Sequence, residues 1–202
     1  MIPAAEALAR LRDGNRRFVA NQATAAASHP ARRAALVSGQ EPFAIILGCS
    51  DSRVPAELVF DQGFGDLFVI RVAGNVVAPS QVGSVEFAAA RFGTRLVVVM
   101  GHSQCGAVIA AVDDVLGRTS SQSRNLRSIV DRVRPSVEAS RTGRGEADAD
   151  AWLRDAVRAN VRASVDHLRH GSELLEQLIA NDGLLVVGAE YSLETGLVTF
   201  LD

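Results

Sequence analysis

The chain of 202 residues contains no lysine; all 21 of its cationic side chains are arginine. Without lysine there is no phosphate-loop amine and no Schiff-base nucleophile, so two large enzyme classes are excluded. Cysteine is almost as scarce. The two that occur, Cys49 and Cys105, are too few for a disulfide framework, which leaves buried thiols, a redox pair or metal ligands. No apolar run approaches the ~20 residues needed to cross a bilayer, and MIPAAEALARLRDGNRRF at the start lacks a basic region followed by a continuous apolar one. The expectation is a cytoplasmic protein without a membrane partner. A strong charge of one sign is missing too: the net charge of −2 gives no reason to expect nucleic acid as a partner. What remains is the composition of an ordinary soluble protein, with a length that suggests one domain, residues 1–202.

Leu8, Leu11 and Phe18 recur near helical spacing among arginines, which predicts an amphipathic helix over residues 4–21. A short second helix is expected over 30–38. Four brief apolar runs rich in β-branched residues follow, at 42–48, 66–74, 95–101 and 183–191. Such runs read as buried strands of a largely parallel sheet. Helical segments at 80–93 and 105–117 separate them, so the fold class is α/β, a predominantly parallel central sheet flanked by helices. Residues 118–150 are more polar, with 140–150 as the best loop candidate. One long helical stretch is expected over 151–181, and an edge strand over 196–202.

Two of the strands end in chemistry. FAIILGCSDSRVPAE runs into Cys49, Asp51 and Arg53, and RLVVVMGHSQCGAV runs into His102 and Cys105. The carboxyl edge of an open α/β sheet is where sites assemble. If the two strands are neighbours, Cys49, His102 and Cys105 converge. Two thiolates and an imidazole suit zinc, and three protein ligands leave a fourth position of the kind catalytic sites keep. Such a centre is formally neutral and pulls weakly on water, so a nearby cation and a well-placed acceptor would help. Arg53 can offer its planar fork to Asp51 and hold that carboxylate rigidly. Two roles stay open for Asp51: acceptor of a proton beside the metal, or fourth ligand in a closed site.

CSDSRVPAE and GHSQCGAV together resemble the signature motifs of the β-class carbonic anhydrases. NRRFV, DLFVIRVAGN and YSLETG are similar to that family as well. The resemblance implies one Zn2+ per subunit on Cys49, His102 and Cys105, with Asp51 and Arg53 as the catalytic dyad. It implies reversible hydration of CO2 to bicarbonate and a proton by attack of zinc-bound hydroxide. Substrate-binding positions fall on Gln40, Phe68, Phe87 and Gly106, the two phenylalanines walling the pocket across a dimer interface. The family's N-terminal helical arm, residues 1–38 here, crosses to a partner subunit, and a homodimer or higher homo-oligomer is expected. Of an inhibitory bicarbonate site known in some members, Arg71 and Tyr191 match, and Ile46 stands where a tryptophan is found.

Other features carry less. His167 and His170 sit at i, i+3 with no further ligand pattern and read as helix surface; His29 lies in a polar segment. GFGDLF lacks a third glycine and precedes a strand, which excludes a dinucleotide loop. A phosphatase-like cysteine loop would need arginine at position 55, which is Pro55.

Overall fold

The computed structural model describes residues 1–24, 30–118, 123–141 and 149–201. Five strands form one sheet: β1 (Ala44–Gly48), β2 (Leu67–Arg71), β3 (Leu96–His102), β4 (Leu185–Tyr191) and β5 (Val198–Leu201), in the order β2-β1-β3-β4-β5. The first four run parallel and β5 closes the edge antiparallel to β4. Every residue of β1 and β3 is buried, as expected of central parallel strands covered on both faces. Alternation sorts their side chains. Ile46, Val98 and Met100 face the core shared with α1 (Ala4–Val19) and α3 (Ala56–Val59). Ile45, Leu47, Val97 and Val99 face α4 (Pro79–Arg91), α7 (Ala149–His170) and α8 (Glu173–Asn181).

The polar stretch expected at 118–150 holds a helix that composition hid. In α6 (Arg124–Ala139), Leu126, Ile129, Val130, Val133 and Val137 line one stripe, and Ser123 caps its start by accepting from Leu126 N–H. Its buried valines pack on α5 (Gly106–Val115) and Trp152 in a third apolar cluster that also holds Cys49 and Cys105. The single helix expected over 151–181 is two. The break falls at Gly171, where a Cβ would lie 2.5 Å from the His167 carbonyl, and Ser172 caps α8 through Leu175 N–H. The strand expected over 66–74 stops at Arg71, and a 3-10 turn, Ala73–Asn75, takes its place. Most of the loop expected at 140–150, and His29, lie outside the described residues.

Of the expected N-terminal arm, α1 packs on its own chain, burying Ala7 and Leu11, whereas α2 (Pro30–Ala35) buries no residue. Asp61 fastens α1 from below: it accepts from Arg17 and from Thr24 N–H, the latter at 2.8 Å. Burial pushes this carboxyl up, but Arg17 and Thr24 outweigh it and hold it below the usual carboxylate range. A carboxyl depressed on folding stabilises above its unfolded pKa of about 4, and that contribution is lost as pH falls further. Urea midpoints of the native protein are therefore expected to drop on acidification below about pH 4. Asp61→Asn, which tolerates the left-handed backbone at this position (φ 46°), should cost about 1.5–3 kcal/mol at neutral pH and flatten that drop.

Candidate metal centre

Parallel pairing of β1 with β3 in the register Gly48↔Met100 brings their carboxyl ends to one edge of the sheet. Cys49 follows the last residue of β1, His102 is the last of β3, and Cys105 caps α5. Gln104, at φ 55°, turns the chain between the second and third of these residues. The potential ligand atoms of Cys49, His102 and Cys105 all lie within 4.8 Å of one another, and the two sulfurs are 4.0 Å apart. All three side chains are buried.

The donor set fits zinc. His102 Nδ1 lies 2.8 Å from the Ser103 carbonyl, the geometry of an N–H donor, which leaves Nε2 with its lone pair. That Nε2 is buried and has no hydrogen-bond partner among the described residues. A buried imidazole lone pair grouped with two sulfurs is a donor set that could hold a cation such as zinc. The two sulfurs share one hydrogen-bonding contact, and with the Gly74 and Asp51 backbone groups it outweighs burial and lowers Cys49. Cys105, the other sulfur of that contact, moves up, raised by the contact and by burial.

Asp51 stands beside the three with both oxygens taken. Arg53 donates from Nε to Oδ1 at 2.9 Å and from Nη2 to Oδ2 at 2.8 Å, and its backbone N–H adds a bond to Oδ1 at 3.0 Å. These bonds hold the Asp51 carboxyl well below the usual range, so it is ionised at any working pH. Its Oδ2 lies 3.9 Å from His102 Nε2. Arg71 supports the motif from β2, donating from Nε to the Cys49 carbonyl at 2.9 Å and from Nη2 to the Asp51 carbonyl.

Gly106 opens α5 directly after Cys105, and its surface is open: an added Cβ would meet nothing within 4 Å. Gln40, Phe68 and Phe87 are not brought to the cysteines of their own subunit. Phe68 pairs with Ile45, four residues before Cys49, or about 13 Å along the strand. It forms a ring cluster with Phe87 and Phe92, at centroid distances of 6.2 and 6.0 Å. Gln40 precedes β1 and lines a hollow with Phe43, Arg91 and Phe92. Ile46 is fully buried between Val69 and Val98, and Tyr191 lies against Phe18. His170 pairs with Asp166 on its own helix, and no group of three potential ligands forms around it or His167 among the described residues.

Three supporting groups escaped the sequence reading. Gly74 N–H donates to Cys49 Sγ. Ser103, whose carbonyl orients His102, is tied by its hydroxyl to Glu194 at 2.7 Å and accepts from Leu193 N–H at 2.9 Å. The YSLETG turn between β4 and β5 thus braces the loop that carries two ligands. Its tight Gly-containing form was legible as a turn, but its destination depended on the pairing of β3 with β4.

An open α/β sheet with a buried Cys-His-Cys group at its carboxyl edge, beside a carboxylate clamped by arginine, defines a class of mononuclear zinc enzyme. The carbonic anhydrase family model matches residues 44–198. "Carbonic anhydrase 2" of Mycobacterium tuberculosis is 38% identical over 192 residues, covering 95% of this chain and 90% of that protein. Among solved structures, the β-carbonic anhydrase CafA of Aspergillus fumigatus superposes with a TM-score of 0.75 at 25% identity, over 98% of this chain and 90% of that one. One of two tetrameric β-carbonic anhydrases of Sordaria macrospora superposes at 0.73 with 24% identity, covering 86% and 87%. The chain belongs to the β-carbonic anhydrase family.

Proposed function

We propose that this chain is a zinc-dependent carbonic anhydrase that interconverts CO2 with bicarbonate and a proton. The convergence of Cys49, His102 and Cys105 beside the Asp51–Arg53 pair carries the reading. Zinc held by the three ligands supplies the Lewis acid that makes water a nucleophile at moderate pH. The protein does the rest. Asp51, ionised and unable to rotate, accepts a hydrogen bond from the attacking water at Oδ2 and aims its lone pair at CO2. Arg53 fixes that carboxylate, and Arg71 fixes the backbone that carries it. Gly106, with no side chain and an open approach, lets substrate reach the α5 backbone.

In this reading Gln40, Phe68 and Phe87 complete the site of a partner subunit. Supporting this, Phe87 is 53% exposed, and Val37 is 87% exposed beside Gln40 and Phe64 in a second hollow. Residues 1–202 then act as one domain that is a homodimer or larger, as the Sordaria macrospora relative is a tetramer. The arm's reach to the partner falls to residues 30–38, since α1 is spent on its own chain. A reducing cytoplasm would keep both ligand thiols free.

Stopped-flow CO2 hydration across pH, with metal analysis of the same samples, tests the proposal. One zinc per subunit and turnover rising from slightly acidic to alkaline pH are expected. Cys105→Ser should lose both zinc and turnover. Stoichiometric zinc with no CO2 hydration at any pH would sink the reading.

A further inference from the structure

Cys49 owes one of its hydrogen bonds to a turn that α7 holds from outside the site. Gly74 N–H reaches Cys49 Sγ at 3.3 Å. The turn that presents it is not one the chain adopts by default: Gly74 and Asn75 are both left-handed, at φ 72° and 44°. Its own backbone offers one closing bond, Asn75 N–H to the Val72 carbonyl at 3.0 Å. Val72 N–H ties its start to the Gly48 carbonyl at 3.1 Å, and α7 adds two side-chain bonds to its carbonyls. Asn160 Nδ2 donates to the Gly74 carbonyl at 2.8 Å, and Ser164 Oγ donates to the Asn75 carbonyl at 3.1 Å. Both side chains are buried, and they lie one helical turn apart on a single face. Asparagine is a poor helix former and a costly residue to bury, so its place inside α7 is set by what its amide holds. On the opposite side, a Cβ at Gly74 would lie 3.0 Å from Ala107 Cβ. The turn is thus held between α7 and the start of α5, within the cluster that contains both cysteines.

We infer that Asn160 is a positioning residue for the Cys49 thiolate, holding the Gly74 turn so that its N–H meets the sulfur and tempers that ligand's electron donation to zinc. The inference rests on the zinc reading of the site. A thiolate that accepts an N–H bond has part of its charge drawn off, and partners one layer out from a metal ligand commonly fix its orientation. Asn160 touches neither the sulfur nor substrate; its effect passes through one peptide unit.

Cobalt(II)-loaded protein provides the test, because the thiolate-to-cobalt charge-transfer band reports how electron-rich the bound sulfur is. Zinc affinity is measured alongside by competition with a chromophoric chelator. In Asn160→Ala the band is expected to move to longer wavelength, and zinc affinity to fall about 10- to 100-fold. Val165→Ala, on the same helix but packed over Gly188, should lower stability and leave band and affinity unchanged. A folded Asn160→Ala protein with native band and affinity overturns the inference. If Asn160→Ala does not fold, Ser164→Ala, which frees the adjoining Asn75 carbonyl, should shift both readouts the same way by less, and no shift overturns it. A native protein that shows no thiolate charge transfer on cobalt loading overturns the zinc reading as well.

Discussion

Asp51→Ala is expected to keep its zinc and to lose CO2 hydration by about 10²–10⁴-fold in kcat/KM, the range for removing a positioned proton acceptor. In the proposed site zinc rests on Cys49, His102 and Cys105, whose potential ligand atoms lie within 4.8 Å of one another. What disappears is the one acceptor beside His102 Nε2 that Arg53 holds by three bonds. The loss is chemical and not a folding defect. Arg53 is more than half exposed, so its pair with Asp51 adds little to stability. The melting temperature of the variant should therefore stay close to native. The pH profile separates this role from a titrating one. Because Arg53 keeps the Asp51 carboxyl far below the usual range, it is already ionised on the acid side of the native profile. Any loss of activity there belongs to another group, and the residual activity of the variant should follow the same profile at a lower height. Stopped-flow assays with metal analysis decide the matter. A variant within about fivefold of native activity, zinc retained, would remove Asp51 from the dyad.

The elements that carry the site were those most legible in the sequence. Short β-branched runs ending in Gly48 and Gly101 read as buried parallel strands, and the one condition left open, that they be neighbours, is met by the β1–β3 pairing, which puts Cys49, His102 and Cys105 at one edge. Asp51 and Arg53 are two residues apart, so their pairing was local and readable. The groups that orient them were not. Arg71 reaches Cys49 and Asp51 across the β1–β2 pairing, Glu194 reaches Ser103 across the β3–β4 pairing, and Asn160 meets Gly74 over 86 residues of chain. Such bonds follow from register and helix rotation, which a one-residue shift would change. α6 was hidden for a different reason. Its stripe of five apolar residues lies among arginines and around Pro135, so average polarity masked a strong periodicity. Gln40, Phe68 and Phe87 show the limit of one subunit. If they serve a neighbouring copy, as proposed, they stand within their own chain only as a ring cluster and a loop residue away from the cysteines.

Gly14→Ala tests where the N-terminal helix sits, and its sign is the opposite of what helix propensity dictates. In an exposed helix this change is worth about 1 kcal/mol of added stability. Here a Cβ at position 14 would lie 1.8 Å from the Phe60 carbonyl oxygen and 2.9 Å from Gln62 Nε2. The carbonyl belongs to the fixed end of α3, where Phe60 N–H is bonded to Ala56, and cannot swing aside like a side chain. The helix must lift instead. Lifting exposes Leu11 and Ala7, both fully buried, and breaks the three bonds of Asn15: Nδ2 to the Val59 and Gly196 carbonyls, and Oδ1 from Val198 N–H. Those bonds fasten α1 to α3 and to the β4–β5 hairpin, the same hairpin whose turn braces Ser103. Overpacking of this kind costs about 3 kcal/mol at the upper end of its range, and a urea titration should show that loss. Zinc affinity should fall with it only as far as the hairpin loosens. A Gly14→Ala protein more stable than native would mean that α1 leaves Phe60 in solution.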